Sequence, residues 1–156
     1  GLCVYAVSDR AMQKAETVRG RGFLLDFLTA KKGLEAGKTP ATPSVPLAFA
    51  LSRQLDRIAE EGIENRWQRH LNMRDQTKAW ASEHGFEFFV DEPWQSPTVS
   101  AVRNSGRDVV ELIGKARDAG FTLGNGYGKV KGKTFRIGHM GDHTPERLQQ
   151  LLDALI

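Results

Sequence analysis

Residues 134–148 read TFRIGHMGDHTPERL, and the change of period inside this stretch decides the fold class. Phe135 and Ile137 alternate with Thr134 and Arg136, the two-residue period of a strand with one apolar face. Beyond Gly141, Thr144 and Pro145 suit the N-cap and first turn of a helix, and Leu148, Leu151, Leu152 and Leu155 then share one helical stripe. A strand that hands over to a helix predicts an α+β layer. It also leaves an arginine in the middle of the strand's polar face, and its role is the functional question.

Working upstream, FEFFV (86–90), TVSAV (98–102) and FTLG (121–124) read as further strands, and RDVVELIGKARDA as a helix from Arg107. The expected subdomain is a small antiparallel or mixed sheet of about four strands with helices on one face. Two long helices precede it. One runs from Val45 to Gly62 on Leu47, Leu51, Leu55 and Ile58; the other runs from Ile63 to Glu83 on Ile63, Trp67, Leu71 and Trp80, with Gly85 as its C′ residue. Before them, LCVYAV (2–7) reads as strand-like and Ser8 as the cap of a helix over SDRAMQKAETV. Phe23, Leu24, Phe27 and Leu28 then fall at helical spacing. KTPATPSVP (38–46) carries Pro40, Pro43 and Pro46 and must be largely extended, because each proline pushes its predecessor out of the α region.

The chain has 156 residues, 40% hydrophobic and 26% charged, enough for a core without a staple. Cys3 is the only cysteine, so an intrachain disulfide and a cysteine-rich zinc site are excluded, and a reducing, cytoplasmic setting is expected. No run is long and apolar enough for a membrane span, and no signal peptide is legible. The net charge of +3 is mild, with both signs mixed along the chain, so it permits a nucleic-acid partner without indicating one. The chain opens on Gly-Leu-Cys, without methionine, and reads as a piece of a longer protein.

Four motifs carry possible chemistry. LGNGYGKVKGK (123–133) has spaced glycines and three lysines, but the glycines lead to a strand and not to the helix N-terminus that a phosphate cradle needs. It reads as a connecting loop with solvated lysines; nucleic-acid binding through Lys129, Lys131 and Lys133 is the competing function, and it predicts salt-sensitive retention on heparin. His139, Asp142 and His143 are potential metal ligands, yet they leave a strand, bend and enter a helix cap, so no metal is assigned; Asp142 and Thr144 are expected to serve the helix N-terminus. Thr39 and Thr42 stand three apart on the proline-stiffened segment, either as a solvated turn or as two hydroxyls for an anion. Arg136 either faces solvent or a structural carboxylate, or captures a ligand carboxylate with its planar fork.

Three stretches, KTPATPSVPLAFALSRQLDRIAEEGIENRWQRH, PTVSAV and GKVKGKTFRIGHMGDHTPERL, resemble the C-terminal part of class V, fold type I pyridoxal-phosphate aminotransferases of the alanine–glyoxylate and serine–pyruvate type. The resemblance implies a large-domain remnant and connector over residues 1–44 and a C-terminal small domain over 45–156. It implies transfer of an amino group from a small amino acid to a 2-oxo acid, by a homodimer that needs pyridoxal 5'-phosphate and no nucleic acid or membrane. In such relatives the arginine of the RIG strand holds the substrate carboxylate, which matches Arg136. Hydroxyls of the threonine–proline segment reach the cofactor phosphate of the other subunit; Thr42 matches best, and Thr39 falls where some relatives have tyrosine. The Schiff-base lysine precedes a Pro-Pro-Gly whose glycine matches Gly1, so no catalytic residue is assigned in this chain and the chain alone is expected to be inactive. Cys3 does not match the mobile-loop cysteine of the related desulfurases. A stand-alone α+β binding domain is the alternative reading.

Overall fold

The structure, a computed structural model, describes residues 2–156 and divides into two compact units, residues 1–60 and 61–156. Gly1, matched above to the Pro-Pro-Gly glycine, lies outside the described residues. No helix among the described residues is long and apolar enough to cross a membrane.

In the first unit, α1 (Asp9–Thr17) starts where Ser8 accepts a hydrogen bond from the Ala11 N–H. The next helix begins later than the spacing of Phe23 and Leu24 suggests: α2 covers Phe27–Glu35, because Asp26 accepts from the Leu28 and Thr29 N–H groups and so sets its start. The Arg21 guanidinium bonds Asp26 at 2.9 Å as well as the Ala15 and Val18 carbonyls, tying the end of α1 to the cap of α2. That bond holds the Asp26 carboxyl down at about 2. LCVYAV is not a strand. Strand geometry requires a partner's ladder, and among the described residues none runs beside residues 2–7, which are mostly exposed. The third helix, α3 (Val45–Glu61), starts where the proline pattern places it.

The second unit starts at Glu61, the last residue of α3, and Gly62, with a φ of 82°, separates α3 from α4 (Ile63–Glu83). The buried face of α4 differs from the expected stripe. Arg66, His70, Met73, Thr77, Trp80 and Ala81 are buried, whereas Ile63 and Trp67 are exposed. Both faces have helical spacing; polar Arg66 and His70 are inside because partners for them exist there, as described below.

The sheet contains β1 (Val99–Arg103), β2 (Gly124–Asn125) and β3 (Thr134–Gly138), antiparallel throughout, in the order β1-β3-β2. It has three strands and not four. FEFFV only skirts the β1 edge, through a Phe88–Val102 bridge and the bonds Phe89 N–H to Ala101 O and Arg103 N–H to Glu87 O, before Pro93 turns it away. Most of FTLG closes the preceding helix instead, with the Phe121 N–H bonded to Ala116 O. That helix, α5 (Val109–Asp118), is capped by Asp108 and so starts two residues after Arg107; α6 (Pro145–Ala154) is capped by Thr144 as its sequence indicates.

Helices α4, α5 and α6 cover one face of the sheet. Phe135, Ile137 and Val102 meet Met73, Leu112, Leu148 and Leu152 there, all buried. Trp80 stacks on Phe86 at 4.9 Å, and Phe86 meets the edge of Phe135 at 5.4 Å. The expected class, α+β with helices on one face, holds.

The loop from β2 to β3 folds back over Thr134, which is therefore buried although it lies on the polar side of its strand. Gly126 is essential to that closure: a Cβ there would lie 2.2 Å from the Val130 carbonyl oxygen and 2.5 Å from Thr134 Oγ1. Gly126→Ala is expected to cost about 1–3 kcal/mol by overpacking, read as a lower urea midpoint; an unchanged midpoint would contradict this account of the loop.

Candidate functional site

Arg136 occupies the centre of β3, with Ala101 opposite on β1 and Gly124 opposite on β2. Its flanking residues Phe135 and Ile137 point into the core, fully buried, so the backbone that carries the arginine is held from below. The side chain itself is exposed on the other face. It lies across β2, where a Cβ on Gly124 would sit 3.4 Å from both Nε and Nη2, at the near edge of ordinary van der Waals contact, so the glycine gives the guanidinium room there. Nε donates to the Asn125 carbonyl at 3.0 Å. That bond fixes the plane of the fork and leaves the two terminal amino groups, the pair that a carboxylate takes in bidentate fashion. The sequence reading identifies the arginine, ends the FTLG strand at Gly124 and leaves Asn125 in the loop, and gives neither a part in the site; the signal for both is their antiparallel pairing with β3.

The segment after β3 is held by charges from α4. Glu61 bonds Arg66 at 2.7 Å and Arg69 at 2.7 and 3.0 Å. Arg66 also meets Asp142 at 3.0 Å, and Arg69 donates to the carbonyls of Gly141, at 3.0 Å, and His143. The Arg69 bonds, followed by those of Arg66, hold the Glu61 carboxyl down at about 2 against the opposing effect of burial. Asp142 answers Arg66, and Thr144 accepts from the Arg147 N–H at the cap of α6. His139 turns inward, fully buried, with Nε2 at 2.9 Å from Ser100 Oγ. His139 and Asp142 therefore meet different partners, Ser100 and Arg66. Among the described residues no group of three His, Cys, Asp or Glu is gathered as a metal site.

No family model matches the chain. An uncharacterized aminotransferase of Methanocaldococcus jannaschii is 38% identical over 145 residues, 90% of this chain and 38% of that protein. A serine–glyoxylate aminotransferase of Methylorubrum extorquens is 36% identical over 150 residues, 91% of this chain and 37% of that protein. The crystal structure of an alanine–glyoxylate aminotransferase from Nostoc sp. superposes with a TM-score of 0.83 at 28% identity, covering 95% of this chain and 41% of that one. The chain belongs to the class V, fold type I aminotransferases. It spans about two fifths of the length of these relatives.

In this aminotransferase segment the threonine–proline connector lies in the first unit and Arg136 in the second. Thr39 and Thr42 are both exposed. Thr39 Oγ1 donates to the Ala41 carbonyl at 2.7 Å, so its proton is already engaged inside the turn. Thr42 presents an exposed hydroxyl beside Pro43, a donor of the kind a phosphate accepts. The donor set therefore fits the phosphate end of pyridoxal phosphate at Thr42, and less well at Thr39.

Proposed function

We propose that the chain is the C-terminal portion of a pyridoxal-phosphate-dependent aminotransferase that moves an amino group from a small amino acid, alanine or serine, to a 2-oxo acid, glyoxylate or pyruvate. The observation that carries the reading is the similarity to proteins named as aminotransferases over nine tenths of the chain; it disfavours a stand-alone binding domain. When bound, the cofactor supplies an electron sink for the substrate α-carbon. This chain supplies orientation. Arg136 takes the substrate carboxylate in its fork, which fixes two of the four directions about the α-carbon once the amino group is also held, and so aims the Cα–H bond. Thr42, with Thr39 as its neighbour, offers a hydroxyl to the cofactor phosphate of the other subunit in a homodimer. Proton transfer falls to a lysine outside this chain.

The test uses the full-length parent protein. Incubated with L-serine or L-alanine and glyoxylate, it is expected to form glycine, and the isolated 156-residue chain to form none. A full-length protein that retains cofactor but transfers no amino group from either donor to glyoxylate or pyruvate would refute the reading.

A further inference from the structure

His139 closes the strand that carries Arg136, yet the chemistry above makes no use of it. Its ring is fully buried, and Nε2 lies 2.9 Å from the hydroxyl of Ser100, itself 2% exposed. Nδ1 makes no hydrogen bond of normal geometry, although the Pro97 and His139 backbone favours its proton, so the well-formed tie of the imidazole is the one to Ser100. A buried polar group with only one well-formed bond calls for an explanation.

The register supplies one. The His139 N–H donates to the Thr98 carbonyl at 2.9 Å, which continues the β1–β3 ladder by one step. The side chain reaches instead to Ser100, which stands opposite Ile137, next to Arg136. The link therefore runs diagonally, from the end of β3 to a residue two places further along β1. A diagonal tie resists sliding of one strand past the other, where even a one-residue slip would turn Arg136 to the opposite face of the sheet. Ser100 and His139 lie on the helix-covered face and Arg136 on the open one, so neither touches a ligand of the arginine. The charged and titratable groups acting on the ring from α4 are His70 and Arg74, and both oppose a positive charge on it. Burial, the largest influence, keeps the ring neutral down to about pH 4, so the tie to Ser100 is between neutral groups.

We propose that His139 and Ser100 are positioning residues, whose buried hydrogen bond fixes β3 against β1 and so sets where the Arg136 fork meets the substrate carboxylate. The proposal rests on the carboxylate role of Arg136 given above. Its test is a double-mutant cycle in the full-length holoenzyme, reading KM and kcat for the amino acid and, by calorimetry, the Kd of 2-methylalanine, which has no α-hydrogen to react. Ser100→Ala and His139→Ala are expected to raise KM and Kd by roughly tenfold to a hundredfold, with a smaller change in kcat. Ser100→Thr, which keeps the hydroxyl, and His139→Gln, whose amide can meet Ser100, are expected to recover most of the loss. In an Arg136→Ala background, Ser100→Ala should add little. If His139→Ala does not fold, the Ser100 variants carry the cycle. A large Arg136→Ala effect with a fully additive Ser100→Ala effect overturns this proposal alone, as does an unchanged KM in folded Ser100→Ala. Wild-type KM in Arg136→Ala overturns the clamp reading and this proposal with it.

Discussion

Arg136→Ala in the full-length aminotransferase should lower kcat/KM for amino-acid substrates by roughly thirtyfold to several thousandfold, the equivalent of about 2–5 kcal/mol for loss of one partner of a desolvated, hydrogen-bonded charge pair. The physical ground is the way the fold prepares the residue. Phe135 and Ile137 anchor the backbone on either side, Gly124 opens a path across β2, and Asn125 O fixes the guanidinium plane before any ligand arrives. Little side-chain freedom is then left to lose on binding. Arg136→Lys should rescue poorly, because a flexible ammonium meets a carboxylate as a point charge and has no fork to set its plane. Because the proposed role places the arginine at the substrate carboxylate and not at the cofactor, the cofactor absorbance should persist in both variants. The measurement is steady-state kinetics at saturating cofactor. Wild-type kcat/KM in Arg136→Ala would remove Arg136 from the substrate site.

The sequence discloses this arginine because the strand around it obeys a strict two-residue alternation, and α6 because Thr144 and Pro145 are local signals. What it conceals is non-local. FEFFV and LCVYAV have strand composition, but a strand exists only where a ladder partner runs beside it; for the first that partner is reached in part, and for the second no strand among the described residues runs beside it. On α4, Ile63–Trp67–Leu71 and Arg66–His70–Met73–Thr77 are both credible faces by spacing. The choice goes to the polar one because Glu61, Asp142 and the carbonyl of Gly141 surround Arg66 and His70. The same holds at the site: Gly124 and Ser100 acquire meaning only through residues paired with them across the sheet. Partner identity at long sequence separation is what local pattern omits.

Stability should fall as the pH is lowered from about 6.5 to about 4, and His139→Gln should flatten that part of the profile. In the unfolded chain His139 takes up a proton below its ordinary value near 6.5. In the folded chain burial, with His70 and Arg74 opposing the charge, delays protonation to about 4. Between those values the unfolded state binds more protons, so stability rises with pH through the window and is lost as pH falls. The full difference amounts to at most about 3 kcal/mol, less wherever water reaches the charged ring. The lowered carboxylates act elsewhere: Asp26 and Glu61, each held at about 2, contribute stability that is present above their ordinary values near 3.8 and 4.5 and disappears as pH falls toward 2. The two windows meet only near pH 4, which makes the histidine's share separable. Urea unfolding of wild type and His139→Gln at pH 7, 5.5 and 4.5 should show the wild-type midpoint falling faster. Parallel loss in the two proteins would mean that the His139 ring is solvated when charged and does not carry the acid sensitivity of the fold.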